Sequence, residues 1–303
     1  MHGEIMNRQT ILFCMIIGSL VIGLFCAGCT EQTVTENQSS GPQQPSKGAI
    51  SFVATPYGTE LSSGNVMLLM LEKAGYTVDM KVADVGLSWQ AVGDGNVDFF
   101  IGAWLPTCHG QYLDKFEDDL DFVRKSLIGT RCGLVVPSYV EIDSISDLNT
   151  NKEKFNSKII GIEPGAGIMV GTEDAIDAYN LDFELQAGSE IGMLAALKDA
   201  IANNKWIVIT GWSPHWMFMG WDLKYLDDPK NIYGGEEYIA TFTKKGLKEE
   251  NPEIYGILER FSWEPSDMES IMYDVQNGMT DKDAAQKWID AHPEKIQEWL
   301  GTP

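Results

Sequence analysis

The chain has 303 residues, of which 44% are hydrophobic and 22% charged, with a net charge of −22. These values fit a globular body long enough for two packed cores. Arg8 balances Glu4 within residues 1–28, so the body carries all of the charge, and such acidity excludes nucleic acid as a partner.

From the N-terminus, Asn7 and Arg8 precede an apolar run over residues 11–27 that closes Phe25-Cys26-Ala27-Gly28-Cys29. The run is short for a membrane span and ends in small residues. Residues 1–28 therefore read as a signal of the lipoprotein type, with Cys29 acylated after cleavage. Residues 29–47 are rich in Ser, Gln, Pro and Gly and nearly free of large apolar side chains, the composition of a flexible tether. Anchor, tether and body together place the protein on the outer face of the cell membrane. Cys14 and Cys26 fall in the signal, which leaves Cys108 and Cys132 in the body. Outside the cytoplasm they are candidates for a disulfide, worth ~3 kcal/mol by loop closure. A metal site using Cys108, His109 and Cys132 matches no zinc spacing, and no metal or cofactor is expected.

In the body, residues 50–54 read as a strand and 60–74 as a helix ended by Gly75. Residues 76–82 alternate as a second strand, 87–92 form a short helix and 97–103 a third strand. The plan then repeats: strand 158–162, a glycine loop, helix 168–179, strand 183–187, helix 191–203 and strand 206–210. Residues 132–137 and 238–243 connect the two halves, and the tail from 248 to 300 is helical with a break near His292-Pro293. Alternating strands and helices predict an α/β fold of two lobes, each a mainly parallel sheet flanked by helices. The first lobe takes residues 48–137 and 238–303, the second 138–237, with the tail packed on the first lobe.

Each half ends its third strand in the same way. The first reads Gly102-Ala103-Trp104-Leu105-Pro106 with His109 behind it, and the second Gly211-Trp212-Ser213-Pro214 with His215 behind it. In parallel α/β sheets ligands bind beyond the carboxyl ends of the strands, where Tyr57, Trp104, Gly167 and Trp212 all fall. A quaternary ammonium has no N–H to donate, and aromatic faces serve both its charge and its methyl groups. Trp104, Trp212 and Tyr57 are the candidate cage. The loop before Ile168 opens a helix, so the N–H groups of Gly167 and Ile168, with His109 as a further donor, are candidates for holding a carboxylate. His215 is a weaker candidate, with a structural histidine as the alternative. Seven further tryptophans are assigned to packing.

The segments 102–109, 161–169 and 209–218 resemble those of the glycine betaine-binding proteins of ABC-type osmolyte importers, and the likeness runs from about Gly48 to Leu300. That resemblance implies a periplasmic-binding-protein fold of type II-like form whose lobes close on the ligand. It implies three tryptophans in the cage, two matching Trp104 and Trp212 and the third replaced by Tyr57. It carries the carboxylate contacts over to Gly167, Ile168 and His109. It also implies a monomer that hands glycine betaine to an ABC permease driven by a separate ATPase. No phosphate-binding Gly-x-x-x-x-Gly-Lys segment is present in the chain. Proline betaine, carnitine, choline, a sulfonium analogue and ectoine are alternative ligands, and a ligand-sensing domain is a more distant alternative. Ser213 and His215 lack a Gly-x-Ser-x-Gly elbow, so an enzyme is not expected.

Overall fold

The computed structural model describes residues 46–301. The signal, Cys29 and all but the last two residues of the tether lie outside the described residues. Strand β1 (Ala49–Ala54), helix α1 (Gly58–Lys73), β2 (Thr77–Val82), α2 (Val85–Gly93) and β3 (Phe99–Leu105) follow in turn. β1 lies parallel between β2 and β3. β3 is buried along its whole length, as a strand covered on both faces must be. After α3 (Gly110–Phe116) comes β4 (Leu120–Pro137), a strand of 18 residues.

The second half contains β5 (Lys158–Ile160), α4 (Gly167–Tyr179), β6 (Glu184–Gln186), α5 (Glu190–Ala202) and β7 (Ile209–Ser213). Here β5 is parallel to both β6 and β7. The short elements α6 (Met217–Gly220) and β8 (Leu223–Tyr225) lead to β9 (Glu237–Lys244). The tail is α7 (Leu247–Glu250), α8 (Pro252–Arg260), α9 (Pro265–Gln276), α10 (Asp281–Ala291) and α11 (Pro293–Leu300). Two short 3-10 helices, Ile145–Asp147 and Asn149–Phe155, fill a stretch for which the apolar pattern assigns no element.

The strand order is β2-β1-β3-β9-β4-β7-β5-β6, with β8 beside β4. Two parallel trios are thus joined through an antiparallel centre, because β9 runs antiparallel to both β3 and β4, and β4 antiparallel to β7. β4 is the bridge. Residues from Leu120 to Thr130 pair with β9, and from Arg131 onward the strand pairs with β7. Three register shifts interrupt the β4–β9 ladder. Each such irregularity bends and twists a strand, which lets one continuous segment turn from one half to the other.

One expectation needs correction. The tryptophans of the two repeated segments stand within the strands, not past their ends. Antiparallel pairing of Leu105 with Tyr238 and of Ser213 with Arg131 extends β3 and β7 to the residue before each proline. The peptide bonds before Pro106 and Pro214 are both cis.

Helices α9 and α10 pack on α1, and α8 packs on β4. An aromatic cluster ties the tail together: Trp299 stacks on Trp288 at 5.7 Å and meets Phe261 edge-on at 4.9 Å. Trp299 is 1% exposed, and its carbonyl accepts a hydrogen bond from Arg260 Nε at 2.9 Å. Among the described residues no helix is long and apolar enough to cross a membrane. Emptying this cluster leaves a cavity that small shifts cannot refill. Trp299→Ala should therefore lower the unfolding free energy in urea by about 3–5 kcal/mol, and a loss under about 1 kcal/mol would show that the tail is not part of the cooperative core.

Candidate functional site

A cavity lies where the carboxyl ends of β1, β3 and β7 meet the first turn of α4. Tyr57, Glu60, Trp104, His109, Gly167, Ile168 and Trp212 line it, together with Cys108 and Cys132. All six residues expected to hold a ligand are therefore brought together, from both halves of the sheet. Across the halves, the Tyr57 and Trp212 rings approach to 5.9 Å at a 59° tilt.

The loop after β3 is closed on itself. The His109 N–H donates to the Trp104 carbonyl at 2.8 Å, and the Trp104 N–H donates back to His109 Nδ1 at 3.1 Å. Trp89 Nε1–H reaches the same nitrogen at 3.4 Å. With Nδ1 accepting, a neutral ring carries its proton on Nε2, which leaves a donor for the cavity. Burial disfavours the imidazolium and pushes the His109 pKa down to about 3, so the ring stays neutral. Glu237 holds the same loop from β9 by accepting the Thr107 N–H at 2.9 Å.

Helix α4 presents its start to this loop. The N–H groups of Met169 and Val170 both donate to the Ala166 carbonyl. Those of Gly167 and Ile168 come earlier in the turn, where a helix supplies no acceptor, and they carry its positive end. Gly167 is required here by contact. A Cβ on it would lie 1.5 Å from the Cys108 carbonyl oxygen. Tyr112 on α3 also donates its hydroxyl to the Gly165 carbonyl, a second bond between the halves. The sulfur atoms of Cys108 and Cys132 are in bonding contact, and a Glu237 carboxylate oxygen lies within 4.8 Å of them.

His215 does not line the cavity. Its ring is fully buried, accepts the Met217 N–H on Nδ1 at 3.1 Å and meets Glu190 Oε1 at 2.9 Å through Nε2. It sits edge-to-face against Trp212 at 5.1 Å, as a support for that indole. The other Glu190 oxygen accepts the Gly58 N–H at 3.0 Å, which links α5 to the start of α1.

Two participants escaped the sequence reading. Glu60 is 2% exposed and accepts the Trp104 indole N–H at 2.6 Å. In sequence it passes for an ordinary acidic residue at a helix start, and its position one helical turn after Tyr57 is the signal that marks it. Glu190 looks like a helix-capping acid in the same way. Together with Glu163 and Asp84, these carboxylates hold the buried Tyr57 hydroxyl above its ordinary range, after burial itself.

A sheet in two halves whose strand ends converge on one small cavity defines a receptor for a small molecule. Residues 48–291 match the family described as the substrate binding domain of the ABC-type glycine betaine transport system, and the chain belongs to that family of transport proteins rather than to any enzyme family. The glycine betaine/carnitine transport binding protein GbuC of Listeria monocytogenes is 44% identical over 171 residues, 55% of this chain and 55% of that protein. That match spans about half the length of the relative. Lactococcal OpuAC, in a closed-liganded conformation with glycine betaine, is 41% identical with a TM-score of 0.81 over 83% of this chain and 99% of that one. The glycine/betaine/L-proline-binding protein ProX of Borrelia burgdorferi is 32% identical with a TM-score of 0.81, covering 84% of this chain and 97% of that one. These structures are two-lobed binding proteins, so the two-lobed fold class expected from the sequence holds.

His109 has a direct consequence in solution. Its folded pKa lies below the unfolded value of about 6.5, so its contribution to stability is complete above that pH and is lost as pH falls toward 3. Long-range nitrogen NMR should show a neutral, Nε2-protonated ring from pH 8 to pH 5. A titration midpoint near 6.5 would contradict it.

Proposed function

We propose that this chain captures glycine betaine and delivers it to the permease of an ABC importer, which a separate ATPase drives. The observation that carries the reading is a single cavity lined by both kinds of surface that such a zwitterion needs. Trp104, Trp212 and Tyr57 present aromatic faces to a trimethylammonium, each worth roughly 0.5–2 kcal/mol. Gly167 and Ile168 offer unpaired N–H groups at a helix start, and His109 offers Nε2–H, to a carboxylate. Choline lacks the carboxylate and leaves these donors unmatched, so it ranks below glycine betaine. Carnitine carries both groups, and the Listeria relative is named for both compounds.

The lobes in this reading are residues 48–137 with 238–303, and 138–237, closing about the β4 and β9 connections. Cys29 carries a lipid and residues 29–47 tether a monomeric body to the outer face of the membrane. Cys108 and Cys132 form a disulfide that stiffens the Trp104–His109 loop.

Calorimetry should give binding heat with glycine betaine and weaker heat with choline. Trp104→Ala and Trp212→Ala should each cost more than about 1 kcal/mol of affinity. No heat with glycine betaine, proline betaine, carnitine or choline would overturn the reading. Mass spectrometry of the unreduced protein should find Cys108 linked to Cys132, and two free thiols would remove the disulfide.

A further inference from the structure

We propose that Glu60 is a specificity-determining residue of this cavity: its buried carboxylate is the counter-charge that selects a fixed positive charge over a neutral group of the same shape. The inference rests on the zwitterion reading above and adds a role that neither the cage nor the carboxylate contacts supply.

Glu60 lies in the first turn of α1 and is 2% exposed. Its Oε1 accepts the Trp104 indole N–H at 2.6 Å, and its Oε2 accepts the hydroxyls of Thr59 at 2.6 Å and Thr55 at 3.1 Å. All three donors are neutral, and no ion pair to Glu60 is formed among the described residues. A buried carboxylate without an opposite charge is costly, and hydrogen bonds offset only part of that cost. The fold nevertheless makes room for it. Gly102 on β3 lies beneath the side chain, where a Cβ would come within 2.7 Å of Glu60 Cγ. Space is thus kept for an anion against the cavity wall, with the missing positive charge to be brought by the occupant.

The groups around it deepen the imbalance. Tyr57 caps the start of α1, three residues before it, and faces Glu163, Asp84 and Glu190 as well as Glu60. Glu190 approaches from α5 and is hydrogen-bonded to His215. His109, from the loop after β3, is held neutral. β3 and β7 contribute Trp104 and Trp212, which do not titrate. No lysine or arginine lines the cavity. A quaternary ammonium beside Trp104 therefore meets both the indole face and the carboxylate behind its edge. An uncharged tert-butyl group gains only the apolar contact.

Protonation supplies a second signature. Burial outweighs the donated hydrogen bonds and raises Glu60 to about 7 in the empty protein. A bound cation favours the ionised form and draws that value down. Affinity is then full above pH 7 and falls as pH drops through it, by up to about tenfold per pH unit, because binding must expel a proton. Glycine betaine does not titrate between pH 6 and 8 and His109 stays neutral there, and Glu60→Gln separates the contribution of Glu60 from that of His215 and Glu163 nearby.

The test compares glycine betaine with 3,3-dimethylbutanoate, its carbon isostere, by calorimetry on the full chain and on Glu60→Gln. The amide oxygen of Gln still accepts the Trp104 indole N–H, so the substitution removes charge and keeps the contact. Wild type should prefer glycine betaine, with affinity falling between pH 8 and 6. E60Q should narrow that preference at least about tenfold, through weaker glycine betaine binding and relief of the repulsion on the anionic isostere, and should flatten the pH slope. An unchanged preference and slope in E60Q would overturn the inference while leaving the zwitterion reading intact. Absence of glycine betaine binding in wild type would overturn both. If E60Q does not fold, wild type decides: equal affinity at pH 6 and pH 8 rejects the role, and a fall with proton release supports it.

Discussion

Two hydrogen bonds on Trp104 organise the site. Its backbone N–H ends on His109 Nδ1 and its indole N–H ends on Glu60. The first decides which imidazole nitrogen carries the proton, and so leaves His109, which lines the cavity, with an Nε2–H to donate. The second fixes the edge of the indole and sets its face. Closing the loop this way also carries Cys108 against Gly167, so the start of α4 is delivered to the same cavity. Aromatic face, imidazole donor and helix terminus thus hang on one residue and its two partners.

The two halves of the sheet are alike in plan and unlike in use. Each ends a parallel trio with a tryptophan, a cis proline and a histidine. After β3 the histidine folds back on the tryptophan backbone and lines the cavity. After β7 the histidine turns away to Glu190 and backs the indole instead. The difference comes from the neighbours. Glu190 lies within reach of His215 and ties it to α5, whereas His109 finds only neutral donors. One copy therefore supplies polar chemistry with its ring, and the other supplies a ring held from behind.

Several contacts join the halves. Gly167 against the Cys108 carbonyl, Tyr112 on the Gly165 carbonyl, Tyr57 against Trp212 and Glu190 on the Gly58 N–H all cross between them. Each lies at or beside the cavity. The β4 and β9 strands, in contrast, pass continuously through the centre of the sheet and pair along much of their length. Bonds at the rim are few and local, and those at the centre form a ladder.

Much of this was legible in the order of residues. Apolar periodicity and glycine punctuation located the parallel trios, helices α1, α4 and α5 and the tail helices to within a few residues, because local spacing alone decides which face of an element is buried. The repeated Trp-x-Pro segments and the glycine loop marked five residues that line the cavity, Trp104, His109, Gly167, Ile168 and Trp212, and the end of β1 marked Tyr57, because strand ends in such sheets converge. Pairing partners were not legible. The antiparallel β9 and β4, distant in sequence, extend β3 and β7 through their tryptophans, and no local pattern reports partners as far apart as Trp104 and Ile239 or Cys132 and Trp212. Nor could the sequence separate His109 from His215, or Glu60 from any acid in a first helical turn. Tautomer, burial and counter-charge belong to the surroundings of a group, and only the packed structure brings those surroundings together.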